Sequence, residues 1–351
     1  MIMKGKMLIL LAVICSLSSC VKEELIGPSE KEGLPVTIGV SLSALEATTK
    51  ADTKSSATGD EATINDGFIL VFKKADVNAD PNECIGYAKV ESTDDIKGEG
   101  VTVNTITGHV RLVGIANADE NLSQKLVEAF AGTTKSNYAA LKAMTSSQLL
   151  DDPKNLIKVG TKEVELTLAS TNEKIEIEVA HLVARVIINM TPKGGDGENW
   201  KFEMSEYTVD AICTQSELLL SEYVKGASYS YNTKQNHTGN KLSPSDVSGN
   251  QLSFYSYEKE TSGYPIRVKV KGNLVRTDEG HSESIPKEYS FDLNPVERDQ
   301  SVTNGFVHGY AYVITGNIDA KKPGISLVVK VVPLVKVPLD VDYGKGESWN
   351  D

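Results

Sequence analysis

Cysteine is nearly missing from this chain: four residues in 351, with Cys15 and Cys20 near the start and Cys84 and Cys213 far apart. Two distant thiols make neither a disulfide framework nor a metal-ligand spacing. Histidine is as sparse, at 109, 181, 237, 281 and 308, with no pair at ligand spacing, so each is expected to be structural or on the surface. Positive charge is in deficit: 36 Lys and Arg stand against 48 Asp and Glu, a net charge of −12. No basic patch occurs either, which disfavours nucleic acid and anionic lipid as partners. After the first twenty residues no apolar run is long and charge-free enough for a transmembrane helix. The G-x-S-x-G elbow, the P-loop and H-E-x-x-H are all lacking, so nothing supports an enzyme, and no cofactor or metal is expected. "DVNADPNE" spaces Asp76, Asn78 and Asp80 like the first ligands of a calcium loop. However, Pro81 stands where the loop needs its sharp-turning Gly and Tyr87 where it needs the bidentate Glu, which leaves a polar hairpin loop. Aromatics are only 6% of the chain, and their dense run, Phe254-Tyr255-Ser256-Tyr257, is explained more cheaply by alternation in a strand than by a glycan platform.

What the chain does have is alternation. In "ISLVVKVVPLVKVPLDVDY", residues 325–343, every odd position is apolar, the period of a strand with one buried face. Pro333 and Pro338 interrupt its ladder donors, so two consecutive strands, roughly 325–332 and 334–343, are expected. "LPVTIGVSLS" repeats the pattern with Leu34, Val36, Ile38, Val40 and Leu42 apolar. Further strands are expected at Phe68–Phe72, Val101–Ile106, Val110–Ala116, "VELTLAS", "EKIEIEVAHLVARVIINM", "KFEMSEYTVDAICT", "QLSFYSYEK", "YPIRVKVKGNLVR", "KEYSFDL" and "FVHGYAYVITGNI". Two helical stretches break the pattern. "ENLSQKLVEAFAG" sets Leu122, Leu126, Val127 and Phe130 on one face before a Gly132 cap, and "SNYAALKAMTSSQLL" does the same with Tyr138, Leu141, Met144 and Leu149. Short strands with turn signals between them predict β-sandwiches, with the helices before about residue 178 and nearly all β after it.

The start of the chain, "MIMKGKMLILLAVICSLSSC", has Lys4 and Lys6, an apolar run and small residues before Cys20: the layout of a secretory signal peptide. "LSSC" looks like a bacterial lipobox, which makes Cys20 the lipidated first residue of the mature chain. Loss of Lys4 and Lys6 takes the net charge from −12 to −14. Lys22-Glu23-Glu24 resembles the charged signal that sends Bacteroidetes lipoproteins to the outer face of the outer membrane.

Between 43 and 63 the sequence is rich in Thr, Ser, Ala, Asp and Lys without apolar periodicity, and Lys50-Ala51 and Lys54 stand in it as targets for a trypsin-like protease. A cut there unties strand 34–42. A sandwich lacking that strand exposes unpaired backbone and apolar side chains, and the C-terminal ribbon of another copy has the alternation to fill the gap.

The order of lipobox, alternating strand, Lys-Ala in a loose loop, "ILVF", "RLVGIANA", "HLVARVIIN", "VERDQ…YAYVITGNI" and alternating C-terminus resembles the fimbrillin family of Bacteroidales, the FimA-type major fimbrial subunits or type V pilins, over essentially the whole chain. The resemblance implies two transthyretin-like Greek-key β-sandwich domains behind a signal peptide (1–19) and a propeptide (20–50): an N-terminal domain at 51–177 and a C-terminal domain at 178–351. It implies an outer-membrane lipoprotein precursor anchored through Cys20, cut between Lys50 and Ala51, and polymerised by strand exchange into a cell-surface fimbrium that supports adhesion and biofilm formation. Leu34, Val36, Ile38, Val40 and Leu42 fall on the removable strand. Leu334, Val335, Val337, Leu339, Val341 and Tyr343 fall on the donor strand. The implied partners are further copies or related subunits, a trypsin-like maturation protease, the outer membrane, and host or bacterial receptors. One departure matters: the best-known members are cut after Arg, and no Arg precedes Arg111 here, so an Arg-only protease would leave this chain uncut. The alternative from another class is a surface lipoprotein or fimbrial tip adhesin that binds glycan or host protein and keeps strand 34–42 in place.

Overall fold

The computed structural model describes residues 32–44, 60–91, 100–147, 152–193, 199–220, 250–261, 263–280, 282–294, 305–319 and 324–333. Among them the chain is mainly β. The first half contributes β1 (Pro35–Ala44), β2 (Gly67–Lys73), β3 (Cys84–Val90), β4 (Val101–Ile106), β5 (Gly108–Ala116), helices α1 (Glu120–Phe130) and α2 (Tyr138–Ala143), β6 (Thr145–Ser146), β7 (Lys158–Leu166) and β8 (Lys174–His181). The second contributes β9 (Val183–Lys193), β10 (Trp200–Asp210), β11 (Ser216–Glu217), β12 (Gln251–Tyr257), β13 (Lys259–Glu260), β14 (Ile266–Arg276), β15 (Ser284–Leu293), β16 (Gly305–Phe306), β17 (Tyr310–Asp319) and β18 (Ile325–Pro333).

The N-terminal strands form one ribbon ordered β3-β2-β5-β7-β8-β1-β4. It folds back on itself where β7 and β8 pair only at Lys158–His181 and Val159–Ala180. The two halves close over a core in which Val36, Ile38, Val40 and Leu42 of β1 meet Ile69 and Val71 of β2 and Leu112 of β5. The opposite face of β2 and β5 is covered too: Phe68, Leu70, Phe72, Val113 and Ile115 pack on Leu122, Leu126 and Phe130 of α1 and Leu141 of α2. Burial on both faces is why β2 reads as an unbroken apolar run rather than an alternating one.

Helix α1 is capped by Asp119, whose side chain accepts from the Leu122 N–H, and ends at Ala131 rather than at Gly132. Val127 is not on the buried face: it is 39% exposed, because Leu122, Leu126 and Phe130 lie four apart and define a stripe that Val127 steps off by one position. The second helix is shorter than its apolar pattern suggests. It stops at Ala143, Met144 turns to extended backbone, and Thr145–Ser146 pairs with β11; Leu149 lies outside the described residues. "VELTLAS" is likewise half strand, since β7 ends at Leu166 and Leu168–Ser170 is a 3-10 turn.

In the C-terminal sandwich the sheet β12-β9-β17-β18 packs on the sheet β10-β14-β15. Val186, Ile188, Met190, Phe254, Tyr312 and Ile314 of the first meet Phe202, Val209, Val268, Val270, Tyr289 and Phe291 of the second. The outer face of β10-β14-β15 carries cross-strand ion pairs: Lys271 with Glu206, Lys269 with Glu288 and Arg267 with Asp292. Leu182 alone separates β8 from β9, and the apolar cluster under α1 and α2 extends to Leu182, Val183, Cys213, Leu218 and Tyr257.

Candidate functional site: the seat of the first strand

β1 does not lie at an edge. Its first half, Pro35–Val40, runs antiparallel to β4, and its second half, Gly39–Ala44, runs parallel to β8. Both neighbours come from far along the sequence, so β1 is inserted into a slot that other parts of the chain build. The slot opens with the Gly33 N–H donating to the Thr107 carbonyl (3.0 Å) and the Thr107 N–H donating to the Leu34 carbonyl (2.8 Å). The Thr37 hydroxyl reaches Asn104 Oδ1 at 2.9 Å, and the Asn172 and Gly39 N–H groups tie β1 to the turn before β8.

Alternation decides which side chains enter the core. Val36, Ile38, Val40 and Leu42 are at most 4% exposed, whereas Leu34 is half-buried and precedes the strand. Leu42 packs against the backbone of two glycines. A Cβ on Gly67 would lie 2.7 Å from Leu42 Cδ1, and one on Gly114 would lie 2.6 Å from Leu42 Cδ2, so two glycines on the facing sheet shape its pocket. Without β1, Ile69, Val71, Val103, Leu112, Ile175, Ile177 and Val179 would lose their cover, and β4 and β8 would each present unpaired backbone.

At the other end of the chain β18 is bonded on one side only among the described residues, to β17, in a register running from Tyr310–Pro333 to Ile318–Ile325. Ile325, Leu327 and Val329 are half-buried against the C-terminal core, while Ser326 and Val328 face outward, Val328 with 54% of its surface exposed. This half of the ribbon is thus part of its own sandwich. Cys20, Lys50 and Ala51 lie outside the described residues, as do Leu334, Val335, Val337, Leu339, Val341 and Tyr343.

The remaining candidates are absorbed by structure. The Asp76 carboxylate accepts from the Asn78 and Ala79 N–H groups and so closes its own turn. Phe254 is core, and the buried Tyr257 hydroxyl bonds Ser146 at 2.7 Å. Among the described residues no cluster of His, Cys, Asp and Glu is arranged to hold a metal.

What the sequence pattern did not reveal is the stretch that follows at residues 60–66. Glu61 is fully buried, and its carboxylate accepts from Arg185 Nη1 (3.0 Å) on β9 and from the Tyr255 hydroxyl (2.5 Å) on β12. Lys158 is also fully buried and donates to the carbonyls of Thr63 (2.9 Å) and Leu156 (3.0 Å). Desolvation pulls its ammonium down to about 7, against the opposing pull of Glu61. A lysine inside an alternating strand and a glutamate in a polar loop look solvated, and only their distant partners identify them as buried.

No protein-family model matches the chain, and no curated protein matches it. Solved structures do. The tip fimbrial protein Mfa3 from Porphyromonas gingivalis, with a C-terminal truncation, superposes with a TM-score of 0.53 at 12% identity, covering 85% of this chain and 99% of that one. A fimbrial assembly protein from Parabacteroides distasonis gives 0.50 at 17% identity, covering 86% and 99%. At these identities the likeness is one of fold: the chain has the β-sandwich architecture of Bacteroidales fimbrial proteins.

Proposed function

We propose that this chain is a structural subunit of a cell-surface fimbria, without enzymatic activity, whose first strand is a temporary occupant of its slot. The observation that carries the reading is the seating of β1. It is a strand of 10 residues from the N-terminal side of the fold, paired with β4 along its first half and with β8 along its second, buried along one face, and joined to the rest through a segment holding Lys50 and Lys54. The fold shared with fimbrial proteins supports the same reading. In it, Cys20 carries the lipid that delivers the precursor to the outer membrane. A trypsin-like protease accepting lysine cuts between Lys50 and Ala51, and a strand from residues 334–343 of a neighbouring subunit then takes the vacated slot. Burying Val36, Ile38, Val40 and Leu42 at about 1.5–3 kcal/mol each sets an upper bound of about 6–12 kcal/mol for what β1 contributes and a replacement must supply.

Two measurements test it. Mass spectrometry of surface material is expected to find a mature N-terminus at Ala51, and a lipidated Cys20 on the polymerised form overturns the cleavage step. Removal of residues 334–351, which leaves β18 whole, is expected to abolish the ladder on unboiled gels; a ladder that persists overturns the donor assignment.

A further inference from the structure

Residues 60–66 run between the two sandwiches and are bonded to both. On the C-terminal side Glu61 accepts from Arg185 and Tyr255, which face each other across the β9–β12 register. On the N-terminal side the Thr63 carbonyl accepts from Lys158 Nζ (2.9 Å) and Asn117 Nδ2 (2.9 Å), and the Asn65 N–H donates to Asn117 Oδ1 (2.8 Å). Asn65 Nδ2 reaches the Lys154 carbonyl (3.1 Å) and Asn155 Oδ1 (2.8 Å). At the junction itself His181 Nε2 donates to the Glu61 carbonyl at 2.8 Å. Asn117 holds a left-handed backbone, φ 56°, that asparagine tolerates, and so presents its amide to this stretch. Ile64 is buried in the N-terminal core. Seven residues without helix or strand are therefore fixed by α-flanking, β-strand and turn positions that lie between Asn117 and Tyr255.

We propose that residues 60–66 are a clasp, pinned by Glu61, that joins the two sandwiches and sets the N-terminal limit of every trimmed form of the protein at or before Asp60. The physical reason is that a protease must draw several residues of extended backbone into its cleft. Within the clasp that means breaking the bonds of Glu61, Thr63 and Asn65 at once and exposing a buried carboxylate and a buried ammonium. Leu182 is the covalent link between β8 and β9, the β6–β11 pairing and the Ser146–Tyr257 bond tie the halves beside it, and the clasp adds a further tether on a different part of the chain. The first strand is on the far side of this stop, so its loss leaves the joint intact. The inference rests on the proposed function only for its biological setting: the stop exists whichever bond a native protease cuts.

The test uses a protease without side-chain preference, so that it does not depend on Lys50. The full chain is digested briefly with proteinase K and the N-termini of the resistant core are read by mass spectrometry. In the wild type every core N-terminus is expected at or before residue 60. In Glu61→Ala, core N-termini beyond 60 are expected, with the clasp-proximal cut at least tenfold faster. Wild-type trimming past Asp60 with the rest of the core intact overturns the proposal, and so does a Glu61→Ala core that starts where the wild type does. If Glu61→Ala does not fold, Tyr255→Phe and Glu61→Gln are read by the same two criteria. A native N-terminus other than Ala51 but at or before residue 60 would refute the Lys50 cut while leaving the stop untouched, and one beyond residue 60 would overturn the stop as well.

Discussion

At the scale of single residues, the slot is tuned where Leu42 meets glycine. A Cβ at Gly114 would stand 2.6 Å from Leu42 Cδ2 and 3.3 Å from Ile177 Cγ2, so Gly114→Ala forces the leucine aside and costs about 1–3 kcal/mol. Leu42→Ala opens a cavity and costs about 2–5 kcal/mol. The two are expected to be strongly non-additive, since the new methyl fits the space the leucine leaves. Chemical denaturation of both single variants and the double variant measures the coupling, and simple additivity would mean that the pocket relaxes independently. Lys158 predicts a pH dependence. Its folded pKa, about 7, is below its ordinary value of 10.5, so between those values the unfolded chain binds a proton that the folded one does not. Folding stability therefore rises with pH across this window by a few kcal/mol, and below pH 7 the full cost of burying the ammonium remains. Lys158→Met should lack this rise, so the wild-type minus variant unfolding free energy is expected to increase from pH 7 to pH 10.

At the scale of elements, β18 is expected to behave as two faces of unequal weight. Leu327→Asp places a charge against the C-terminal core and should cost several kcal/mol, whereas Val328→Lys points into solvent and should change the melting temperature little. Such faces were legible in the sequence because the strand period is a local property: β1, β10, β14 and β18 all show it. Which strands become neighbours was not legible. The parallel pairing of Gly39 with Lys174 and of Ala311 with Arg185 joins segments with no local signal of their meeting. The helices failed in a different way. Tyr138, Leu141 and Met144 keep the helical spacing, but pairing of Thr145–Ser146 with Ser216–Glu217 is available only in the folded molecule and ends α2 early. The clasp was invisible for both reasons, being aperiodic and held by residues as far along as Tyr255.

At the scale of the whole molecule, the three apolar clusters divide the consequences of losing β1. The C-terminal cluster and the one beneath α1 and α2 contain no β1 residue, while the cluster between the N-terminal sheets draws Val36, Ile38, Val40, Leu42 and Ala44 from it. A chain beginning at Ala51 should therefore keep its C-terminal sandwich and its clasp but lose N-terminal stability comparable with the roughly 5–15 kcal/mol that holds an ordinary domain together. The slot should survive as a binding site on its β8 side, because β8 stays bonded to β7 and joined to β9, whereas β4, whose one strand partner among the described residues is β1, is expected to loosen until a strand returns. A synthetic peptide of residues 34–44 is thus expected to raise the melting temperature of the shortened chain in a concentration-dependent way, and the same peptide carrying Ile38→Asp is not. The free peptide must overcome the entropy of association that the tethered strand avoids, so rescue should need micromolar or higher concentrations. A peptide of residues 334–343 that rescues as well would join the two ends of the chain in one slot. A shortened chain that melts like the full-length protein would show that β1 does not hold the N-terminal sandwich together.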